Sequence, residues 1–174
     1  VIPEHLKYAH SLIQDVLDFP KPGIIFKDIT PVLLDEKAFS SVLDDFSQQL
    51  NGANKVAGIE SRGFIFAAAL AAKNDLGLVL MRKPGKLPRD THSVDYALEY
   101  GTDSLHVHVD SIIAGDSVFL VDDVLATGGT MRAAGELVQL AKANVARAAV
   151  FLEISALKGR DLLGNLPLYS SLII

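Results

Sequence analysis

A chain of 174 residues is long enough for one domain with a full core, and 49% hydrophobic against 21% charged residues excludes a disordered or low-complexity protein. Sixteen Lys and Arg against 21 Asp and Glu leave a net charge of −5, which argues against nucleic acid as the main partner, because duplex affinity rests on neutralising phosphates. No apolar run reaches membrane-spanning length, and zero cysteines exclude disulfide and thiolate chemistry; a cytoplasmic chain with no membrane partner is expected.

In chain order, Leu6, Ala9, Leu12, Ile13, Val16 and Leu17 recur at helical spacing and predict an opening amphipathic helix. It breaks at Phe19-Pro20-Lys21-Pro22-Gly23, where two prolines and a glycine force a turn. Residues 38–50 predict a second amphipathic helix. Residues 55–59 predict a buried strand running into a helix, 62–70, that is apolar nearly all round. The next strand is 78–81, followed by a long polar loop from Arg82 to about Val94. Strands near 105–109, 118–121 and 148–152 complete the expected sheet set, and a helical pattern runs over 131–142. Short apolar runs alternating with helical patterns predict an α/β fold: one domain, 1–174, with a central parallel sheet flanked by helices and an N-terminal appendage. Ligands of such sheets lie outside the carboxyl ends of the strands. That rule aligns Glu60-Ser61-Arg62-Gly63, Arg82-Lys83 and Asp122-Asp123 along one edge.

The most informative stretch is Val118-Phe-Leu-Val-Asp-Asp-Val-Leu-Ala-Thr-Gly-Gly-Thr130. An apolar run ends in Asp122 and Asp123, and a hydroxyl- and glycine-rich turn follows before a helix. Such a turn is an anion site: glycines admit close approach, N–H groups point outward, and the helix dipole favours negative charge. Two carboxylates beside a phosphate would repel it unless they face sugar hydroxyls or a metal-bound diol, so a ribose 5-phosphate held at both ends is expected. No Gly-x-x-x-x-Gly-Lys-Ser/Thr and no Gly-x-Gly-x-x-Gly after a strand occurs, which excludes the usual triphosphatase and dinucleotide motifs. Arg82, Lys83, Lys86 and Arg89 put four positive charges on a Pro- and Gly-containing loop of an acidic protein. They read as a solvated face or as a basic lid over a di- or triphosphate. His106 and His108 alternate with apolar residues and read as a solvated strand face.

Five blocks carry a family resemblance: residues 19–31, Glu60-Ser-Arg-Gly-Phe64, Arg82-Lys-Pro-Gly-Lys-Leu-Pro88, Leu98-Glu-Tyr-Gly101 and residues 121–130. In this order they resemble the type I phosphoribosyltransferases. The resemblance implies a hood over about 1–34, a mobile lid over about 82–96, and transfer from 5-phosphoribosyl 1-pyrophosphate to adenine, giving AMP and pyrophosphate. It also implies Mg²⁺ held mainly through the substrate rather than by direct protein ligands, and a homodimer. By the same resemblance Ala126, Thr127, Gly128, Gly129 and Thr130 would hold the 5-phosphate, and Asp122 and Asp123 the ribose hydroxyls. Ser61, Arg62 and Gly63 would form a pyrophosphate turn with a cis Glu60–Ser61 bond, joined by Arg82, Lys83 and Lys86. Phe26 would stack on adenine, the backbone of Ile25 and Lys27 would read its edge, and Ile154 would be the apolar wall opposite. Arg62 and Glu99 would be catalytic, with Glu99 handling the purine proton, because the methyl group of Ala126 cannot accept one. Two other readings are a phosphoribosyltransferase for another base and a nucleotide-sensing RNA-binding regulator on the same fold. Ala126 and Ile154 weigh against an oxopurine, and the net charge weighs against RNA.

Overall fold

The computed structural model describes residues 2–97 and 101–174. The chain divides into two compact units, Val1–Asp45 and Phe46–Ile174.

In the first unit a 3-10 turn at Glu4–Leu6 leads into α1 (Lys7–Ser11), and β1 (Gln14–Leu17) then pairs antiparallel with β2 (Ile25–Asp28). The opening helix expected to reach Leu17 therefore stops at Ser11. Val16 lies opposite Phe26 and Leu17 opposite Ile25, so apolar residues that fit a helical period serve as cross-strand partners. Asp18, at φ 58, closes the connection by accepting the Gly23 N–H at 2.8 Å, and the Phe19–Pro20 bond is cis. Next come α2 (Thr30–Leu34), with Pro31 in its first turn, and α3 (Glu36–Ser47). Asp35 caps α3 by accepting the N–H groups of Lys37 and Ala38 at 3.0 and 2.9 Å, which sets its start ahead of residue 38. Leu6, Ala9, Ile29, Val32, Ala38 and Val42 are buried.

The second unit runs β3 (Lys55–Ile59), α4 (Gly63–Lys73), β4 (Gly77–Met81), β5 (Thr91–Ala97), β6 (Thr102–His108), β7 (Ser117–Leu125), α5 (Gly129–Leu140), β8 (Asn144–Glu153) and β9 (Leu168–Ile173). Five strands form a sheet in the order β4-β3-β7-β8-β9, every neighbour parallel. The expected parallel sheet is present with one exchange of members. The strand near 105–109 is β6, and it leaves the sheet to pair antiparallel with β5; its place is taken by β9. Burial explains the exchange. Leu105 and Val107 are buried while their neighbours are half-open, the alternation of a hairpin with one wet face. The central strands β3, β7 and β8 instead carry continuous buried runs, as a sheet covered on both faces requires.

One face carries an aromatic stack: the Phe46 and Phe66 rings meet at 5.7 Å, and Phe66 and Phe151 at 6.1 Å. Each fully buried ring contributes about 1.5–3 kcal/mol of transfer free energy. A second cluster joins Leu120 and Val150 to Leu137 and Val138 of α5 and to Leu105 and Val107 of β6. The helix α4 lies close on β3, since a Cβ added at Gly58 would stand 2.5 Å from Ala67 Cβ.

Candidate active site

Because the five strands are parallel, their carboxyl ends share one edge. β3 registers with β7 only as far as Gly58 opposite Val121, whereas β7 and β8 stay paired to Leu125 and Glu153. Asp122 and Asp123 therefore sit inside β7 rather than after it, on a stretch that outruns β3. The turn at 60–63 fills the space beside that stretch: a Cβ on Gly63 would stand 2.8 Å from Asp122 Oδ1 and 2.9 Å from the Val121 carbonyl. Only glycine permits this approach. The Glu60–Ser61 peptide is cis, as the resemblance implied.

Past Leu125 the chain turns through Ala126 and Thr127 into α5, with Gly128 at its N-terminus in the left-handed region at φ 87. The first N–H groups of a helix have no intrahelical partner, so those of the 127–130 segment are available to an anion. Asp122, Leu125, Ala126, Thr127, Gly128 and Thr130 line a cavity of ≈ 80 Å³ there. Gly159, after β8, backs the loop: a side chain on Gly128 would run into the Gly159 carbonyl, and one on Gly159 into the Ala126 carbonyl. The Gly159 turn is held by Arg160, whose guanidinium donates to both oxygens of buried Glu153 at 3.0 and 2.5 Å and to the Leu168 carbonyl at 3.1 Å. This pairing holds the Glu153 carboxyl below its ordinary range. Ile154, half-buried, donates its N–H to the Leu125 carbonyl at 3.0 Å, which places it beside the loop.

Arg62, Arg82 and Lys83, three of the expected pyrophosphate cations, each already have an acid. Arg62 Nε lies 2.7 Å from Asp123 Oδ2. Arg82 donates to both Glu60 oxygens at 3.3 Å, and the Lys83 N–H meets the same carboxylate at 2.9 Å. Burial pushes the Glu60 carboxyl up, but the Lys83 N–H and the Arg82 guanidinium outweigh it and hold it below the ordinary range. The Lys83 ammonium donates to the Tyr96 hydroxyl and to Asp103. Lys86 is exposed on the loop between β4 and β5, and its carbonyl accepts from Arg82 at 3.2 Å.

Asp122 is shifted in the opposite direction to Glu60 and Glu153: desolvation, with the Asp123 charge second, raises it well above its ordinary value. The residue still opens on the cavity, so the cost of its charge falls where a hydroxyl-bearing ligand would offset it.

The structure thus brings together residues 61–63, Asp122, Asp123 and 126–130 at one edge, with Arg82, Lys83 and Lys86 on the next strand end. Ile25, Phe26 and Lys27 lie on β2 of the first unit. There the Phe26 ring is half-buried, meets Phe19 edge-on at 5.1 Å, and is not a core ring, while Lys27 pairs with Asp15 at 2.7 Å. Glu99 lies outside the described residues. The expected lid is divided, with Thr91–Ala97 in β5 and residues 84–90 in the loop. Gly159, Tyr96 and Asp103 were not foreseen, nor was the pairing of Glu60, expected at this edge, with Arg82 and the Lys83 N–H; strand register and backbone packing reveal them. A larger cavity, ≈ 500 Å³, lies at the amino end of β8, lined in part by Arg132, Glu136, Asn144 and Leu166. It shares no residue with the loop, so size alone does not mark the site.

Residues 32–162 match the phosphoribosyl transferase domain. The chain belongs to the phosphoribosyltransferase family. The adenine phosphoribosyltransferase of Anaeromyxobacter dehalogenans is 52% identical over 94% of this chain and 96% of its own. The crystal structure of that enzyme from Thermoanaerobacter pseudethanolicus superposes with a TM-score of 0.93 at 43% identity, covering 97% of this chain and 99% of the other. The Saccharomyces cerevisiae adenine phosphoribosyltransferase, complexed with an imino-altritol bisphosphate and adenine, gives a TM-score of 0.92 at 34% identity, covering 97% of this chain and 98% of the other. The phosphoribosyltransferase reading of the five sequence blocks is thereby shown, and with it a transferase on the type I fold.

Proposed function

We propose that the chain is a purine salvage transferase that moves the 5-phosphoribosyl group from its pyrophosphate to adenine, releasing AMP and pyrophosphate. The observation that carries this reading is the shared edge: an anion loop at the start of α5, two acids on β7 and a bank of cations at the ends of β3 and β4. The N–H groups and hydroxyls of Thr127, Gly128, Gly129 and Thr130, with Ala126, hold the 5-phosphate. Asp122 and Asp123 accept hydrogen bonds from the ribose hydroxyls, and their charge opposes the positive charge that develops on the ribose as its C1–O bond breaks. Ser61, Arg62, Gly63, Arg82, Lys83 and Lys86 receive the departing pyrophosphate. A purine nitrogen bonds C1 from the opposite face and gives up a proton. Phe26 is proposed as the ring on which adenine stacks, Ile25 and Lys27 as its backbone readers, Ile154 as an apolar contact and Glu99 as the proton carrier.

Asp122 and Asp123 supply too few oxygens to hold Mg²⁺ alone, and Asp123 is paired with Arg62, so the residues fit an ion that arrives with the substrate's own oxygens. Mg²⁺ bound in that way would neutralise charge on the leaving pyrophosphate. A homodimer in the cytoplasm is part of the proposal; zero cysteines suit that compartment, and sedimentation tests the dimer. Among the described residues no helix is long and apolar enough to cross a membrane.

The test is incubation with Mg²⁺, 5-phosphoribosyl 1-pyrophosphate and, separately, adenine, hypoxanthine, guanine, orotate and uracil, with nucleotides resolved by chromatography. AMP from adenine alone is expected. Turnover of another base would move the base assignment, and no turnover by folded protein would bring forward the RNA-binding regulator.

A further inference from the structure

Lys83, at the end of β4, is the cation of the group with the most elaborate seat. Its ammonium donates to the Tyr96 hydroxyl and to the Asp103 carboxylate, and it stands 5.0 Å from the centroid of the Tyr96 ring. Tyr96 and Asp103 face each other across the β5–β6 hairpin in register, and the Tyr96 hydroxyl donates to Asp103 at 3.2 Å. The three side chains therefore close a ring of hydrogen bonds. The backbone reinforces it: Arg82 and His106 exchange two N–H···O bonds of 2.8 Å, pinning the root of the basic loop to β6. Lys83 is only partly enclosed, with 33% of its side chain exposed and 27% of that of Asp103. An ammonium has three N–H donors, so two seats leave one for a ligand.

Tyr96 has a second neighbour. A Cβ added to Gly129, in the phosphate loop, would stand 3.2 Å from the Tyr96 ring. The ring is almost fully buried. One rigid side chain thus touches the loop proposed for the 5-phosphate and the lysine proposed for the pyrophosphate.

We propose that Asp103 is a positioning residue for pyrophosphate recognition, acting through Lys83, with Tyr96 fixing the lysine relative to the phosphate loop. This rests on the reading of Lys83 as a pyrophosphate contact. A lysine carries four rotatable bonds and a compact charge, so without a seat its ammonium samples many positions, and ordering it would weaken binding. Asp103 removes that cost before the substrate arrives. The carboxylate also compensates the partial burial of the ammonium, whose pKa is raised: burial pushes it down, but the Asp103 and Tyr96 hydrogen bonds more than offset this. Lys83 therefore keeps its charge to a higher pH than an ordinary lysine.

The experiment is a double-mutant cycle on the full chain, with Asp103→Asn, Lys83→Gln and the pair. It reads KM for each substrate, kcat, and calorimetric binding of 5-phosphoribosyl 1-pyrophosphate with Mg²⁺. Asp103→Asn keeps the side-chain shape and removes the charge. It is expected to raise KM and Kd for 5-phosphoribosyl 1-pyrophosphate about tenfold, leaving the adenine KM within about twofold. In the Lys83→Gln background the same change is expected to have no further effect. Tyr96→Phe should give an intermediate loss with the same selectivity for one substrate. The proposal is overturned if Asp103→Asn tightens binding, which would make Asp103 a competitor for Lys83. It is also overturned if the effect persists undiminished beside Lys83→Gln, which would mark a purely structural carboxylate. If Lys83→Gln alone leaves KM and Kd unchanged, the pyrophosphate reading of Lys83 fails first. If Lys83→Gln weakens binding while Asp103→Asn is silent, only the positioning proposal fails.

Discussion

Asp122 and Gly128 show how single residues at this edge trade stability for chemistry. The Asp122 carboxyl has a folded value above its unfolded value near 4, so it binds a proton more tightly when folded. Its contribution to stability is therefore present below about pH 4 and lost as the pH rises through the folded value. Asp122→Asn is expected to raise Tm by about 2–4 °C at pH 8 and by nothing at pH 3, in thermal melts at the two pH values. The same change should lower kcat/KM about a hundredfold, because the developing charge on the ribose loses a carboxylate. A melt that falls at pH 8 would sink this reading of Asp122. Gly128 is limited by space as well as by φ, since a methyl group there meets the Gly159 carbonyl. Gly128→Ala is expected to cost about 1–3 kcal/mol in urea unfolding and to weaken 5-phosphoribosyl 1-pyrophosphate binding in calorimetry.

Elements position these residues, and the strands that hold the site were the most legible in the sequence. The runs at 55–59, 78–81, 118–121 and 148–152 each stand in the sheet. For the three central strands the reason is that a strand buried on both faces must be apolar throughout. The run at 78–81 lies in the edge strand β4, apolar although Leu78 and Leu80 are exposed. Signals weakened where burial was one-sided. The Leu105-His106-Val107-His108 alternation belongs to a hairpin rather than the sheet, and Val16 and Leu17 mimic a helical stripe while lying on β1. Of the two edge strands, β4 still carries an apolar run, whereas β9, interrupted by Ser170 and Ser171, does not. Within the site, the loop at 126–130 and the acids of β7 were readable because their chemistry is local. The pairings of Glu60, Asp103 and Tyr96 were not, since they depend on register across strands 7 to 23 residues apart. The turn at 159–163 belongs to the same class. Arg160→Ala would leave Glu153 buried beside the phosphate loop without its guanidinium. With 44% of the arginine side chain exposed, a loss of about 1–3 kcal/mol in urea unfolding is expected, less than for a fully buried pair. Weaker 5-phosphoribosyl 1-pyrophosphate binding should accompany it, because Gly159 backs the loop. Unchanged binding in a folded variant would show that the loop keeps its shape without this brace.

Over the whole molecule the charges set a direction for pH. Glu60, Asp103, Asp116 and Glu153 are all held below their ordinary values by lysine, arginine or backbone donors. Their stabilisation is present above the unfolded carboxylate range near 4 and lost as the pH falls through their folded values. Asp122 acts with the opposite sign, so Tm is expected to fall between pH 5 and pH 2.5 by less than the four acids alone would give. A Tm that is flat over that interval would contradict the pairings. The net charge of −5 has a second consequence, since an acidic molecule that takes a polyanion must gather its cations at one place. Arg62, Arg82 and Lys83 do so at the ends of β3 and β4, and each is kept in place by an acid. We propose that the carboxyl edge of β7 and the start of α5 hold a ribose 5-phosphate. A crystal structure with AMP tests this most directly. The phosphate is expected on the N–H groups of residues 127–130 and the ribose hydroxyls on Asp122 and Asp123. AMP seated in the larger cavity at the amino end of β8, or with its phosphate on Arg82 and Lys83 instead of the loop, would contradict it.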